Sequence, residues 1–181
     1  MNFIPQTLQD VWIIEPAIYG DHRGYFSETY KQSLFNDHIG VTNFIQDNES
    51  KSEYGVFRGL HYQNGDASQA KLVRVILGKV LDIIVDLREA SPTFGKWLAV
   101  ELSEENHRQL FVPRGFAHGF LVLSETAIFS YKVDNTYQPD KEHCILFNDP
   151  SLNIQLPIDS ALLKLSEKDL KGTSFQEAPK F

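Results

Sequence analysis

The segment Arg58-Gly59-Leu60-His61-Tyr62-Gln63 brings an imidazole, a guanidinium and an amide together in one short run. Histidine, with an unperturbed pKa of about 6.5, accepts and returns protons near neutral pH. Arginine offers a planar fork that pairs with phosphate or carboxylate groups. A base beside an anion clamp suggests proton chemistry on a phosphorylated substrate. The alternative is a β-strand with a satisfied core histidine and a surface arginine, and the segment alone leaves both open.

The composition is that of an ordinary globular protein, and we expect a single domain over residues 1–181. Hydrophobic residues make up 42% and charged residues 23% of the chain, so it can bury a full core. The formal net charge is −7. This excess of acidic groups argues against general affinity for nucleic acid or anionic membrane, although a local basic site can still hold a phosphate.

The N-terminus has no basic leader followed by a long apolar run, so we expect no signal peptide. No stretch approaches the ~18 consecutive apolar residues of a membrane span. From these features we expect a cytoplasmic enzyme.

Aromatic residues form 12% of the chain, which suits a β-rich interior. Four of them are interpreted as core rather than ligand-stacking residues: Trp12, Phe26, Trp97 and Tyr137. The single cysteine, Cys144, excludes an internal disulfide and a cysteine-based metal cluster. Its apolar neighbours favour a small buried residue over a nucleophile.

Alternating apolar and polar residues predict β structure from about Val56 to Val133. The predicted strands are Lys71–Leu77, Val80–Asp86, Trp97–Leu102, His107–Val112, Phe116–Leu123 and Thr126–Val133. Short strands at this spacing are typical of a sandwich or a barrel of the jelly-roll kind. Helical patterning is confined to Thr29–Asn36 and Ser160–Leu170, and Gly20–Phe26 is predicted to be a turn-rich loop.

Strand parity predicts a functional cavity, because alternate residues of a strand share a face. Polar side chains fall in four apolar rows: Phe44, Gln46, Asn48; Lys71, Val73, Val75; Phe116, His118, Phe120, Val122; and Phe129, Tyr131, Val133. Four such rows in one small β domain indicate a barrel with a wet interior. Arg58 and His61 break the pattern, since a regular strand points them to opposite faces. Both reach one site only if a bulge near Gly59 redirects one of them.

Four motifs in this chain closely resemble the dTDP-4-dehydrorhamnose 3,5-epimerase family: Gln46–Asn48, Arg58–Gln63, Ser91–Trp97 and Val112–Phe120. The resemblance runs from about Gly20 to Leu156, and the tail is also similar. It implies an all-β fold, a cupin-type jelly-roll barrel with a few short peripheral helices. It further implies a homodimer that uses no metal or redox cofactor.

Metal binding is a separate question, because many cupins hold iron or manganese. Pro113, Gly115 and His118 resemble the second metal-binding stretch of such proteins. In the first stretch, however, Gln63 stands two residues after His61, where a second histidine is usual. Two histidines alone make a poor transition-metal site. We therefore expect no catalytic metal, which also disfavours a cupin oxygenase.

The resemblance implies a proton-transfer mechanism at four positions. His61 is implied as the base that removes the protons at C3 and C5 of a 4-keto sugar, and Tyr131 as the acid on the opposite face. Lys71 is implied to stabilise the enolate oxygen. Asp169 is implied to orient His61 and stabilise its charged form, although its segment by itself suggests only an exposed polar helix.

The resemblance also implies substrate contacts for Arg23, Glu28, Gln46, Asp47, Asn48, Arg58, Lys71, His118, Glu142 and Lys168. Arg23, Arg58 and Lys168 suit a pyrophosphate, whereas Glu28 and Gln46 suit the edge of thymine. We expect an obligate homodimer in which the loop Gly20–Glu28 completes the partner's site. The apolar first strand, around Val11–Ile14, is expected to add to a sheet edge.

The leading prediction is a cofactor-free epimerase that inverts C3 and C5 of dTDP-4-dehydro-6-deoxy-D-glucose, giving dTDP-4-dehydro-L-rhamnose. A single-carbon epimerase and a ketoisomerase of such dTDP-sugars remain alternatives. A non-catalytic nucleotide-sugar binding domain is the alternative from another class. It is disfavoured because binding alone requires no base and acid pair. The sequence does not separate double from single epimerisation, since both use the same base.

Overall fold

Two antiparallel β-sheets face each other in this computed structural model, which describes residues 1–181. The strands of the first sheet are, in order, β1 (Asn2–Pro5), β2 (Trp12–Glu15), β10 (Gln109–Val112), β7 (Lys71–Leu77), β12 (Thr126–Val133) and β5 (Gln46–Glu53). Those of the second are β13 (Glu142–Cys144), β6 (Phe57–Gln63), β11 (Phe116–Val122), β8 (Lys79–Asp86) and β9 (Trp97–Ser103). A separate hairpin pairs β3 (Ile18–Asp21) with β4 (Gly24–Ser27), and the helices are α1 (Gln32–His38) and α2 (Glu167–Leu170). The predicted jelly roll with short peripheral helices is confirmed.

Both faces of the five-stranded sheet are covered by apolar packing. On β8, Val80 and Ile84 point into the space between the sheets, where they join the largest apolar cluster. The alternate residues Ile83 and Val85 pack on the outer face against the C-terminal segment, including Leu152. Burial on both faces explains why β8 is almost continuously apolar instead of alternating.

The six-stranded sheet is covered more locally. Its outer face carries a small cluster in which Phe35 of α1 packs with Ile14, Leu72 and Phe111. The interior between the sheets is therefore built from both walls, while helices contribute only at the periphery. None of the helices has the length and apolar character needed to cross a membrane.

Several predicted boundaries were wrong. The strand predicted from His107 begins at Gln109, because His107 adopts a positive φ of 53° in a turn. The helix predicted over Ser160–Leu170 is a 3-10 turn at Ser160–Leu162 followed by the short α2, with Leu163 extended between them. The helix predicted over Thr29–Asn36 is shifted to Gln32–His38.

The N-terminal third also differs from the predictions. The segment Gly20–Phe26, predicted to be a loop, forms the end of β3, the turn and most of β4 in the β3–β4 hairpin. The segment Val11–Ile14 contributes to β2, which pairs with β1 and β10 of the same chain. Within one subunit, this strand therefore has a sheet position of its own.

The aromatic residues predicted as core divide into two pairs. Trp12 and Trp97 pack partly buried against apolar clusters, as expected. The prediction was wrong for Phe26, which is 69% exposed on the hairpin, and for Tyr137, which is 53% exposed.

Candidate active site

A cavity of about 740 Å³ opens between the two sheets and is lined by residues from both. The six-stranded sheet supplies polar side chains from β5, β7 and β12, and the five-stranded sheet supplies them from β6, β11 and β13. The segment Ser166–Asp169 closes one side. The predicted site residues that line the cavity are Gln46, Asn48, Arg58, His61, Lys71, His118, Tyr131, Glu142, Lys168 and Asp169.

A bulge in strand β6 allows Arg58 and His61 to line the same cavity. The pairing of β6 with β11 shifts register between His118 and Phe120, opposite this point. Gly59 has a φ of +138°, and a Cβ atom there would lie 2.5 Å from the Cα atom of Gly119. Only glycine fits this conformation and this close approach. The predicted bulge near Gly59 is confirmed.

His61 lies directly against the carboxylate of Asp169, with 2.8 Å between His61 Nε2 and Asp169 Oδ1. Although this distance is short, the direction is not that of a hydrogen bond, and Nε2 is buried without a hydrogen-bond partner. The contact is therefore electrostatic. The other ring nitrogen, Nδ1, makes no hydrogen bond to the protein, and the His61 side chain lines the cavity.

Asp169 is held by backbone and side-chain donors. Its Oδ2 accepts from Ser166 N at 3.0 Å and from Ser166 Oγ at 2.6 Å, and its Oδ1 accepts from Gly59 N at 3.2 Å. Burial alone would raise the pKa of Asp169. The imidazole of His61 and the hydrogen bonds from Ser166 and Gly59 outweigh burial and hold this pKa well below its usual range. The carboxylate is thus ionised and can stabilise a positive charge on His61.

Lys71 and Tyr131 come from the wall opposite His61. Burial lowers the pKa of Lys71 to about 8, while the negative charges of Asp82 and Glu142 partly offset this effect. Lys71 is therefore mostly an ammonium cation at neutral pH. Burial raises the pKa of Tyr131, which keeps its phenol protonated and able to donate.

His118 forms a buried pair with Asp82. The Nε2–H group donates to Asp82, at 2.9 Å from Oδ2 and 3.1 Å from Oδ1. Burial lowers the pKa of His118 despite the neighbouring carboxylate. A neutral imidazole with a fixed tautomer therefore lines the cavity.

The rim of the cavity carries two cationic side chains, of which one is in an ion pair and the other is not. Lys168 is paired with Glu142, which also accepts a hydrogen bond of 2.5 Å from the Tyr137 hydroxyl. Arg58 makes no ion pair, and its Nε donates to Ser52 Oγ at 3.1 Å. Its charge is therefore available to an anionic ligand.

Three predicted contact residues do not reach this cavity. Asp47 lies on the other face of β5, where it pairs with Lys132 at 2.7 Å. Arg23 is at the tip of the β3–β4 hairpin, where it pairs with Asp21. Glu28 is exposed and lies just after the last residue of β4. In the single chain, none of them contributes to the cavity wall.

Sequence reasoning missed Asp82 and Tyr137. Asp82 is fully buried in the apolar strand β8, and a charged residue amid such a run was the available signal. Tyr137 lies between β12 and β13, in a segment with no alternating pattern. Strand parity therefore could not predict which way its side chain points.

Comparison with known proteins assigns this architecture. The family model described as dTDP-4-dehydrorhamnose 3,5-epimerase matches residues 5–177. The chain belongs to this epimerase family. An epimerase of Shigella flexneri with the same description is 50% identical over 182 residues, covering 100% of this chain and 99% of its own length.

Solved structures of the epimerase family superpose closely on this chain. The crystal structure of the Elizabethkingia anophelis enzyme has a TM-score of 0.95 and 52% identity, covering 98% of this chain and 97% of its own. The Legionella pneumophila dTDP-6-deoxy-D-glucose-3,5-epimerase, solved in complex with dTDP-4-keto-L-rhamnose, has a TM-score of 0.94 and 45% identity. It covers 98% of this chain and 94% of its own.

Proposed function

We propose that this protein inverts C3 and C5 of dTDP-4-dehydro-6-deoxy-D-glucose, giving dTDP-4-dehydro-L-rhamnose. The observation that carries the proposal is that an imidazole beside a carboxylate and a phenol line one cavity from its two opposite sheets. His61 with Asp169 belongs to the five-stranded side, and Tyr131 belongs to the six-stranded side. Inversion next to a ketone requires this arrangement, because a proton leaves one face of the carbon and another arrives at the opposite face.

His61 acts as the base in this proposal. Its free Nδ1 takes the proton from the carbon next to the ketone, and the resulting imidazolium is stabilised by the Asp169 carboxylate 2.8 Å from Nε2. The ionised state of Asp169 supports this role. The same imidazole serves C3 and C5 in turn, as the sugar ring adjusts between the two steps.

Lys71 stabilises the enolate and Tyr131 completes the inversion. The buried ammonium of Lys71 places a positive charge where the C4 oxygen becomes negative, and burial strengthens that interaction. The protonated phenol of Tyr131 then donates to the carbon from the opposite wall. This assignment uses a side chain that remains protonated throughout the neutral range.

The remaining cavity residues bind the nucleotide. Arg58, which has no carboxylate partner, pairs with the pyrophosphate, and Lys168 assists at the rim when its contact with Glu142 rearranges. Gln46 and Asn48 offer amide donors and acceptors to the base, and their side chains already share a hydrogen bond of 2.7 Å. The neutral His118 contacts the sugar.

Proton exchange in deuterated water tests the reaction. The purified protein is incubated with the 4-keto sugar nucleotide in D₂O, and NMR follows deuterium at C3 and C5. Deuterium at both carbons, with formation of the L-configured product, is the expected result. Deuterium at one carbon identifies a single-carbon epimerase, and product with the keto group moved identifies a ketoisomerase. Binding without any exchange identifies a nucleotide-sugar binding domain.

The functional unit in this proposal is a homodimer in which the N-terminal hairpin is exchanged. Tyr19, Tyr25 and Phe26 are 65%, 63% and 69% exposed on β3 and β4, an apolar surface suited to a partner. Arg23 and Glu28 lie on the same projection and away from their own cavity. Both features support a hairpin that inserts its side chains into the partner subunit's site.

A further inference from the structure

Cys144 carries a thiol, a group able to bind metals, that the proposed mechanism does not use, yet it lies beside His61 and Asp169. In the pairing of β13 with β6, Cys144 is directly opposite His61. The Sγ atom of Cys144, a ring nitrogen of His61 and a carboxylate oxygen of Asp169 all lie within 4.8 Å of one another. A thiol, an imidazole and a carboxylate therefore converge on one point.

These three groups match the ligand preferences of zinc. Zn²⁺ binds sulfur at about 2.3 Å, imidazole nitrogen at about 2.0–2.1 Å and carboxylate oxygen at about 2.0–2.2 Å in a tetrahedral arrangement. Those bond lengths place ligand atoms about 3.3–3.6 Å apart. The three atoms lie within 4.8 Å of one another, and the 2.8 Å between Nε2 and Oδ1 must lengthen to that spacing as the cation enters between them. The thiolate favours soft cations over Mg²⁺ or Ca²⁺.

The donor atoms have capacity to spare. Nε2 of His61 is buried and makes no hydrogen bond. Oδ1 of Asp169 accepts only one, a 3.2 Å bond from Gly59 N, while Oδ2 accepts the two from Ser166. When the ring proton is on Nδ1, the tautomer opposite to the one in which Nδ1 is the base, Nε2 has a free lone pair beside the thiol and the lone pairs of Asp169 Oδ1.

A cation can reach the thiol without crossing the substrate cavity. Cys144 does not line that cavity but borders a second one of about 520 Å³, together with Glu167 and Thr173. The ion pair between Glu142 and Lys168 lies between the two cavities and lines both. The thiol is therefore reached from the second cavity, whereas His61 and Asp169 line the substrate cavity.

We propose that Cys144, His61 and Asp169 form a binding site for a thiophilic divalent cation of the Zn²⁺ class, and that the bound cation inhibits the enzyme. Binding forms a bond between the cation and sulfur as the S–H bond breaks, and the proton passes to solvent. No oxidant or reductant is required. The cation occupies Nε2 of His61 and displaces Asp169 from it, so the imidazole loses both basicity and the carboxylate that stabilises its charged form. The inhibition, unlike the binding, rests on the proposed role of His61.

Cobalt spectroscopy tests the site itself. Because Cys144 is the only cysteine, a thiolate-to-Co²⁺ charge-transfer band in the near ultraviolet reports this position alone. Full-length protein without a polyhistidine tag is titrated with Co²⁺ and, by calorimetry, with Zn²⁺. We expect the band at one equivalent in the wild type and its loss in Cys144→Ala and Cys144→Ser. Zn²⁺ affinity should fall at least about tenfold, since even second-shell changes cost 10–100-fold. Absence of the band in the wild type, or equal Zn²⁺ affinity in the variants, overturns the site.

Inhibition assays test the consequence separately. Zn²⁺ should abolish epimerisation by the wild type and a chelator should restore it. Cys144→Ala should keep wild-type activity and tolerate at least about tenfold more Zn²⁺. If the cobalt band forms while Zn²⁺ leaves activity unchanged, the site stands but the inhibition, and with it the assignment of His61 as the base, is overturned. If the band is absent while epimerisation proceeds, only the metal site fails.

Discussion

Removal of the His61 imidazole separates chemistry from binding. We expect His61→Ala to abolish deuterium exchange at both C3 and C5, a loss of at least about 10²–10⁴-fold for a missing general base. Arg58, Gln46 and Asn48 remain in place, so the affinity for dTDP should stay within a few-fold of wild type. Exchange is measured by NMR and affinity by calorimetry. Substantial exchange in this variant, with dTDP bound normally, would mean that another group is the base.

Tyr131 is assigned only to the second half of the reaction. We expect Tyr131→Phe to reduce product formation more than it reduces proton loss, because the His61 base is untouched while the acid from the opposite wall is gone. The two rates are compared in one D₂O experiment, with dTDP binding as the control for folding. An equal loss of exchange and of product would instead make Tyr131 a residue that positions the sugar.

The lowered pKa of Lys71 leads us to expect that activity falls at alkaline pH. A lysine is cationic below its pKa, and burial lowers the pKa of Lys71 to about 8. We therefore expect kcat/KM, which reports the free enzyme, to fall as the pH rises through about 8. Asp82→Asn removes a negative charge that raises this pKa, so the fall should move to lower pH. Asp47→Asn, on the outer face of β5, is the matched control. A profile that is flat to pH 9–10, or identical in Asp82→Asn, contradicts this role of the ammonium.

Strand parity explains which site residues could be predicted from the sequence. Gln46 and Asn48 line the cavity because they alternate along β5, and the same alternation turns Asp47 away, against the expectation taken from the resemblance. The position of Asp169 could not be predicted in this way, because its segment has no alternating pattern of apolar and polar residues. Its position depends on the contact between α2 and β6, which joins residues far apart in sequence.

At the level of elements, the capping of α2 positions the carboxylate beside the base. Ser166 Oγ accepts from Asp169 N while the Asp169 side chain accepts from Ser166 N, a reciprocal capping box. This arrangement explains why the predicted helix over Ser160–Leu170 was wrong. The serine ends the preceding extended stretch and starts a new short helix, a local interaction that apolar periodicity does not reveal.

The capping box gives a prediction for Ser166→Ala. Loss of the cap should cost about 1 kcal/mol of stability and should lower kcat, because Asp169 loses the 2.6 Å hydrogen bond that orients it. Thermal unfolding and steady-state kinetics measure the two effects. Ser160→Ala, at an exposed serine in the neighbouring 3-10 turn, is the matched control. If both variants unfold and turn over alike, the cap does not position Asp169.

The bulge in β6 is a place where a regular strand could not explain the predicted site. The sequence indicated that Arg58 and His61 could not share a face in a regular strand, and the glycine between them was the place to expect a bulge. The structure has the register shift there and brings Gly59 against the backbone of Gly119. Glycine on both strands makes the close approach possible, and two cavity side chains converge as a result.

On the scale of the whole molecule, the architecture was more predictable than the site. Short, regularly spaced strands and apolar rows on β7, β11 and β12 were sufficient to indicate a jelly roll with an interior cavity. Sheet order was not predictable in this way, because it depends on contacts across the barrel. The hairpin of β3 and β4 was missed for a related reason. Its aromatic residues are exposed in the single chain, so no burial pattern marks it as a strand pair.

The exposed hairpin leads to the prediction of a dimer with shared sites. If the hairpin of one subunit enters the cavity of the other, each site combines His61 from one chain with Arg23 from its partner. Two-fold symmetry then generates two equivalent sites. We expect sedimentation to show a dimer, with no active monomer at low concentration. A fully active monomer would contradict the exchange.

Mixing two defective variants tests the exchange directly. Arg23→Ala removes the contact supplied by the hairpin, His61→Ala removes the base, and each homodimer should be nearly inactive. In a hybrid of the two, one site receives both mutations and the other receives neither, so each hybrid dimer should regain one working site, about half the wild-type activity. Differently tagged subunits confirm that hybrids have formed. If confirmed hybrids remain inactive, Arg23 serves the cavity of its own subunit, and the exposed face of the hairpin must have another role.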